Sequence, residues 1–356
     1  MLRLRRGVVV ASEPLTVEVA GERRPAWADR TLVGRPEVGD EVVVNVAALD
    51  LSLGSGGFDI VHANLTRGLD ARPESETHVM KLNYSSLQHP VEPLELPDDV
   101  SATETPLSTP VAVIALHGHL APLAWAAASA RPGLRLGFVQ AAGGALPGTL
   151  SRDVPELRAR DLVHRHVTAG ASHGGAEEAI TAVGAIHALA SADDVDAIVV
   201  GPGPGILGSA TRYGHGGMAA LDAAHAALAL ALPTLVAPRM SSSDPRARHR
   251  GLSHHSRTVL SMLLATVRVP VPEAGIEGWP LLEEGAPEGG SPQAALDDLI
   301  EVCGERHDIA VRSIDLAGYA ESGLPRTTMG RTIEEDPLFF AAPLAAGDAL
   351  AEAVAA

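Results

Sequence analysis

Two stretches of the chain concentrate side chains and backbone able to bind or move charge. Residues 239–255 read Arg239-Met-Ser-Ser-Ser-Asp244-Pro-Arg246-Ala-Arg248-His249-Arg250-Gly-Leu-Ser-His254-His255. Arginine presents a planar fork of donors that matches phosphate and carboxylate oxygens. Ser253 is placed to cap a helix that begins with His254 and His255. The positive end of that helix lowers their basicity and favours neutral imidazole. The plainer reading of the same residues is a solvated basic turn making salt bridges within an acidic protein.

The second stretch is Gly201-Pro-Gly-Pro-Gly-Ile-Leu-Gly-Ser-Ala-Thr-Arg-Tyr-Gly-His-Gly-Gly217. Glycine lets backbone N–H groups approach a ligand without a Cβ in the way. With a helix starting near Gly217, these amides suit an anion. Gly203, Gly205 and Gly208 form the cradle, and Ser209, Thr211 and Arg212 add donors. Gly203-Pro-Gly205-Ile-Leu-Gly208 has the spacing of a dinucleotide fingerprint. The helix, however, starts well after Gly208, and no acidic residue closes the next strand at Pro238-Arg239, which argues against a dinucleotide. A flexible loop with no ligand is the plain alternative.

Smaller groups complete the inventory. His117 and His119 follow an apolar strand, and at i and i+2 of an extended segment they share a side. One of them can serve as a general base, and the pair has a weak metal-binding pattern without a nearby carboxylate. Ser172-His173 lacks the G-x-S-x-G elbow of a serine hydrolase and reads as a ligand contact. Gly143 and Gly144 offer further close backbone approach. Lys81 is able to bind phosphate, its plain reading being a surface lysine. Thr327-Thr328-Met329-Gly330-Arg331 is a compact donor set able to close over a pocket.

These residues need a frame. From residue 1 to about 66, short β-prone runs separated by turns, with Gly39-Asp40 feeding Glu41–Val46, predict a small OB- or SH3-like β-barrel. Residues 67–110, rich in proline toward their end, read as a linker or surface crossing. From 111 to 332 apolar strands (Val111–Leu116, Leu134–Gln140, Val163–Thr168, Ala197–Val200, Thr234–Pro238, Val267–Val271, Ile309–Ile314) alternate with helices near 121–130, 153–161, 176–190, 217–231, 254–265 and 294–306. This alternation predicts a Rossmann-like, doubly wound, mostly parallel α/β sheet. Residues 273–292 read as a solvated loop. The Ala-rich tail, 333–356, reads as a closing helix or dimer contact. Ligands of open α/β sheets bind beyond the carboxyl ends of the strands, and the polar, Gly- and His-rich segments all follow strands.

Composition narrows the partners. The chain has 356 residues and a formal net charge of −17, so a nucleic-acid-wrapping surface is not expected. Of the 27 basic residues only Lys81 is lysine, a usage that a GC-rich genome produces without functional cause. The single cysteine, Cys303, excludes an intramolecular disulfide and reads as a small buried helix residue. No targeting segment is visible, and the apolar run 219–237 reads as a buried helix and strand because Asp222, His225 and Pro233 interrupt it. A cytoplasmic protein that contacts no membrane is expected.

Five segments together resemble a bacterial family known as domain of unknown function 3866. They are Met80-Lys81-Leu-Asn-Tyr84-Ser-Ser-Leu87-Gln88, Gly143-Gly144-Ala145-Leu146-Pro147, the loop Gly201 to Gly217, Asp244 to Ser256, and Thr328-Met329-Gly330-Arg331. They occur in order and span nearly the whole chain. Where the family has a Leu-His-Ser-like sequence, this chain has Leu116-His117-Gly118-His119, which sets His117 above His119 as a functional residue. The resemblance implies no activity and specifies no cofactor.

The sequence therefore predicts an enzyme acting on a small anionic metabolite, phosphorylated or nucleotide-like. The expected acid–base residues are His117 and His254. The expected binding residues are Lys81, Gly143, Gly144, Ser172, His173, Gly203, Gly205, Gly208, Ser209, Thr211, Arg212, Asp244, Arg246, Arg248, His249, Arg250, His255 and Arg331. The alternatives are a non-catalytic sensor using the same pocket and a scaffold; a homodimer is compatible with each.

Overall fold

The computed structural model describes residues 2–52, 56–69, 77, 79–95, 107–274, 276, 278–283 and 285–354. The chain divides into two compact units, Met1–Glu92 and Pro93–Ala356. Residues 70–76 and 96–106 of the expected linker lie outside the described residues.

In the first unit the β-prone runs become β1 (Leu4–Ser12), β2 (Leu15–Val19), β3 (Glu22–Trp27), β4 (Glu41–Asn45) and β5 (Asp59–Asn64), with one-turn helices α1 (Arg30–Val33) and α2 (Ala47–Asp50). Among the described residues they close a barrel in the order β1-β2-β3-β5-β4, with β4 returning to β1. Alternate strand positions turn inward, and valines fill the interior: Val9, Val17, Val19, Val42, Val44 and Val61. The Gly39-Asp40 turn has a physical reason. Gly39 adopts φ 94°, and the buried Asp40 carboxylate accepts from Glu37 N (2.9 Å), Asn64 Nδ2 (2.8 Å) and Arg67 Nε (2.8 Å). Burial pushes the Asp40 pKa up, but these donors outweigh it and hold the group below its ordinary value. A hairpin, β6 (Val79–Lys81) with β7 (His89–Val91), belongs to the same unit. Lys81 is buried in it, which corrects the surface-lysine reading.

The second unit contains β8 (Val111–Ile114), β9 (Leu136–Ala141), β10 (Arg165–Ala169), β11 (Glu177–Ala179), β12 (Ala197–Pro202), β13 (Thr234–Ala237), β14 (Met240–Ser241), β15 (Gly251–Leu252), β16 (Arg268–Pro272), β17 (Asp308–Arg312), β18 (Thr327–Thr328) and β19 (Arg331–Thr332). Its helices are α3 (Leu120–Ala130), α4 (Asp153–Ala159), α5 (Ala182–Ala190), α6 (Ala219–Ala229), α7 (His254–Met262), α8 (Pro280–Glu283), α9 (Pro292–Cys303), α10 (Leu316–Glu321) and α11 (Pro337–Ala353). Among the described residues the main sheet has eight parallel strands in the order β11-β10-β9-β12-β8-β13-β16-β17. β8, β9, β12 and β13 are buried at every position, as strands covered on both faces must be.

The helices form two sets. α3, α4, α10 and α11 pack on one another, and α5, α6, α7 and α9 form a second row. α6 and α11 both lie on β8 and β13, so the two rows cover opposite faces. The chain leaves β8 for one face and leaves β12 and β13 for the other. The carboxyl edge between these neighbours is therefore a topological switch point.

Two expectations change. Residues 177–179 form an edge strand instead of opening a helix over 176–190. Thr181 caps the helix, its Oγ1 accepting from Gly184 N at 2.9 Å, so the helix starts only after it. The edge is covered by the chain at 93–95, where Leu94 N donates to Glu178 O at 2.8 Å. The Ala-rich C-terminus is a closing helix, α11, buried along most of its length against α3 and the sheet. The loop 273–292 includes the helical turn α8, with Leu282 buried. Cys303 ends α9 in the core, and burial pushes its thiol up to about 11. Among the described residues no helix is long and apolar enough to cross a membrane.

Candidate functional site

After β13 the chain reverses through the small hairpin β14–β15, pairing Met240 with Leu252 and Ser241 with Gly251. The Arg- and His-rich segment is thereby folded into a closed loop, and Gly251 turns it at φ 58°. Ser253 then caps α7, its Oγ accepting from His255 N at 3.3 Å. This fixes His254 and His255 at the head of the helix. The Gly-rich loop arrives from β12 and closes on itself between Ser209 and Gly214, whose backbones join at 2.7 Å. The hydroxyls of Ser209 and Thr211 hold this turn, so they are spent on the loop and not held out as free donors. The loop ends at His215, which meets α7.

Four imidazoles are brought together. The rings of His215 and His255 stack with centroids 3.6 Å apart. His254 packs against both, at 5.5 and 4.3 Å, and His249 against His254 and His255, at 4.8 and 4.9 Å. The Nε2 of His215 lies 3.1 Å from the Arg212 carbonyl oxygen. A carbonyl only accepts, so Nε2 carries the hydrogen and Nδ1 keeps its lone pair. That Nδ1 is buried and unpartnered, as is the Nε2 of His254. His255 Nδ1 faces Arg239 Nη1 at 3.4 Å, and His249 Nδ1 faces Ser253 Oγ at 2.7 Å. The basicity of all four is depressed. Burial is the largest cause in each, with His215 and Arg239 adding to it around His255, and His215 and Arg248 around His254. His249 is pushed down to about 3 and His254 to about 4. The sequence anticipated the direction through the helix end; burial is the stronger cause.

Behind the histidines lies a buried ion network. The Asp244 carboxylate accepts from Arg246 Nε and Nη2 at 2.9 Å each, and Arg239 Nη2 and Arg331 Nη2 stand 3.3 and 3.5 Å away. Arg331 also donates through Nε to Asp336 at 2.9 Å. Burial pushes Asp244 up, but its arginines outweigh this and hold it well below the ordinary carboxylate range. Arg246 and Arg331, expected as ligand clamps, are thus already held by carboxylates. The hairpin β18–β19 lies over the network, with Met329 Sδ 3.9 Å from both Arg239 and Arg246. Arg250 donates to the Glu288 carbonyl at 3.2 Å.

Of the four histidines, His254 opens to a cleft of about 500 Å³, lined also by Arg212, Arg248, Arg257, Thr258 and Ser261. The cleft is wide open to solvent, so a ligand in it would be held by the side chains on its walls and not by enclosure. Arg257 is paired with Asp298 and Glu301. Arg212 lies over the Tyr213 ring at 5.3 Å and reaches Ser261 Oγ at 3.4 Å. Arg248 has neither a hydrogen bond nor an ion pair among the described residues.

A second group sits at the ends of β8, β9 and β12. Residues 117–119 form a 3-10 turn and not an extended segment, so His117 and His119 do not share a side. That removes them as a metal pair. His119 packs edge-on to Phe339 at 4.9 Å, and burial, then Arg239, pushes it down to about 3. The Nδ1–H of His117 points to Pro202 O at 3.2 Å, and its Nε2 accepts from Ser151 Oγ at 2.7 Å. Asp153, a companion not visible in the sequence, stands 4.0 Å away. Gly143, Gly144 and Gly203 pack the β9 and β12 loops together: a Cβ on Gly144 or Gly216 would overlap the carbonyl of Gly203 or Gly143. Ser172 and His173 are buried beside this pair of loops, where His173 bonds the backbone of Leu146 and Gly148. Gly205 and Gly208 lie on the exposed part of the loop, and Lys81 lies in the other unit.

Sequence reasoning missed His215, Arg239, Arg257 and Ser151 as site residues. His215 and Arg257 lie far from their partners in sequence, and Arg239 gave no sign that it would be buried. Comparison with known proteins adds the family and nothing on chemistry. No curated protein and no solved structure matches the chain. The model of the family described as "Protein of unknown function (DUF3866)" matches residues 25–347. With nearly its whole length matched, from within the barrel to the last helix, the chain belongs to that family.

Proposed function

We propose that the second unit binds a small anionic metabolite, phosphorylated or nucleotide-like, in the cleft between Arg212 and Arg248, and that it acts on this ligand as an enzyme. The observation that carries the reading is Arg248. In a chain of net charge −17, an arginine left without a carboxylate among the described residues, beside a second arginine and a neutral imidazole, is a place for an external anion. His254 is the imidazole that lines the cleft, and its depressed basicity keeps a lone pair available. His117, polarised between Pro202 O and Ser151, is a second candidate base, at the switch point of the sheet. A homodimer and a cytoplasmic location are part of this reading.

The experiment is a thermal-shift panel of phosphorylated metabolites on the intact chain and on an Arg212→Ala/Arg248→Ala variant. Stabilisation by at least one compound, lost in the variant, is expected. Equal responses of both proteins across the panel contradict it. A ligand recovered unchanged after long incubation favours a non-catalytic sensor.

A further inference from the structure

We propose that His215, His254 and His255 form a binding site for one divalent transition-metal ion of the zinc class, with the open coordination position facing the arginine-lined cleft. Each of the three offers a ring nitrogen, and these nitrogens lie within 4.8 Å of one another. Around a tetrahedral ion with bonds of about 2.0–2.1 Å, ligand nitrogens stand roughly 3.4 Å apart. Small ring movements therefore bring the set onto an ion. The His255 Nδ1 lone pair accepts from Arg239 Nη1 in a long 3.4 Å contact, which an ion would replace, and one of the stacked rings of His215 and His255 must turn about its Cβ–Cγ bond, a soft torsion in histidine.

Three observations support an ion over a plain core cluster. His215 is 7% exposed, yet its Nδ1 has no hydrogen-bond partner among the described residues. A bare buried acceptor costs free energy unless something binds it. Its opposite nitrogen is pinned by the Arg212 carbonyl, the arrangement that orients metal-ligating histidines. Gly217 lies against both Nδ1 atoms, a Cβ there falling 3.1 Å from His215 Nδ1 and 3.3 Å from His255 Nδ1, so this corner is kept open. Three protein ligands with the fourth position on a cleft is the pattern of a catalytic site. The nearby charges of Arg239 and Arg248 disfavour a bare dication and favour one that carries an anion. With the ion bound, the His254 lone pair is spent on it, and His117 is then the remaining candidate base.

The test uses the full chain stripped with a chelator and then titrated with Co²⁺. The expected result is saturable uptake of one ion per chain with the visible absorption of tetrahedral cobalt. Affinity falls tenfold or more in His215→Gln and in His254→Gln and is unchanged in the surface variant His164→Gln. No saturable uptake by the parent chain, or cluster variants that bind as tightly as the parent, overturns it. Should those variants fail to fold, acylation of His254 by diethyl pyrocarbonate in the parent chain decides. Protection by Zn²⁺ supports the site, and equal modification with and without Zn²⁺ overturns it.

Discussion

Arg246 grips both carboxylate oxygens of Asp244, Nε on Oδ1 and Nη2 on Oδ2, each at 2.9 Å. With Arg239 and Arg331 on the same carboxylate, Asp244 is the counter-charge around which the Arg- and His-rich loop folds. Asp244→Asn leaves Arg331 on Asp336 and takes the carboxylate from Arg246 and Arg239. Breaking a buried pair by removing one partner costs about 3–5 kcal/mol, so the variant's urea midpoint falls sharply. A loss under about 1 kcal/mol contradicts this role.

Arg248 is the opposite case. It is exposed and, among the described residues, unpaired, so Arg248→Ala leaves stability within about 0.5 kcal/mol of the parent. A charge-assisted contact to a ligand is worth about 1.5–3 kcal/mol, so anion affinity falls at least tenfold. Denaturation curves and calorimetric titration with inorganic pyrophosphate, run on the same samples, separate the two effects.

The glycines of the β9 and β12 loops are fixed by close approach. A Cβ on Gly144 collides with the Gly203 carbonyl, whereas one on Gly170 (φ +64°) meets nothing within 4 Å. Gly170→Ala therefore costs only the left-handed backbone term, about 1–2 kcal/mol. Gly144→Ala forces the two loops apart and costs more. The ranking of their melting temperatures checks this, and the reverse order contradicts it.

Acid sensitivity follows from His166. It stacks flat on Phe138, ring centroids 5.5 Å apart. Burial, then the charges of His117 and Arg158, pushes it down to about 4. Unfolded, it titrates near its ordinary value of about 6.5. The folded form binds the proton less well, so its contribution is full above pH 6.5 and is lost as pH falls toward about 4. His166→Gln flattens the stability-versus-pH curve in that window by up to one proton. An unchanged slope contradicts the assignment.

The frame was legible in the sequence because it follows local rules. Valine runs such as Val111–Ile114 and Ala197–Val200 are strands, Ser253 caps its helix, and Gly39-Asp40 turns into β4. What was not legible is long-range. The sequence gives no sign that His215 would stack on His255, forty residues on, or that Asp244 would claim Arg246 and Arg331. The distinction between a paired arginine and a free one, Arg257 against Arg248, exists only once Asp298 and Glu301 are placed. The 3-10 turn at His117 likewise depends on the switch from β8 to α3, which a two-residue spacing does not report.

The most direct test is the location of a dense oxyanion. Crystals of the full chain soaked in tungstate are expected to show an anomalous peak between the guanidiniums of Arg212 and Arg248, beside His254. Anomalous peaks elsewhere, with that cleft empty, would contradict the account.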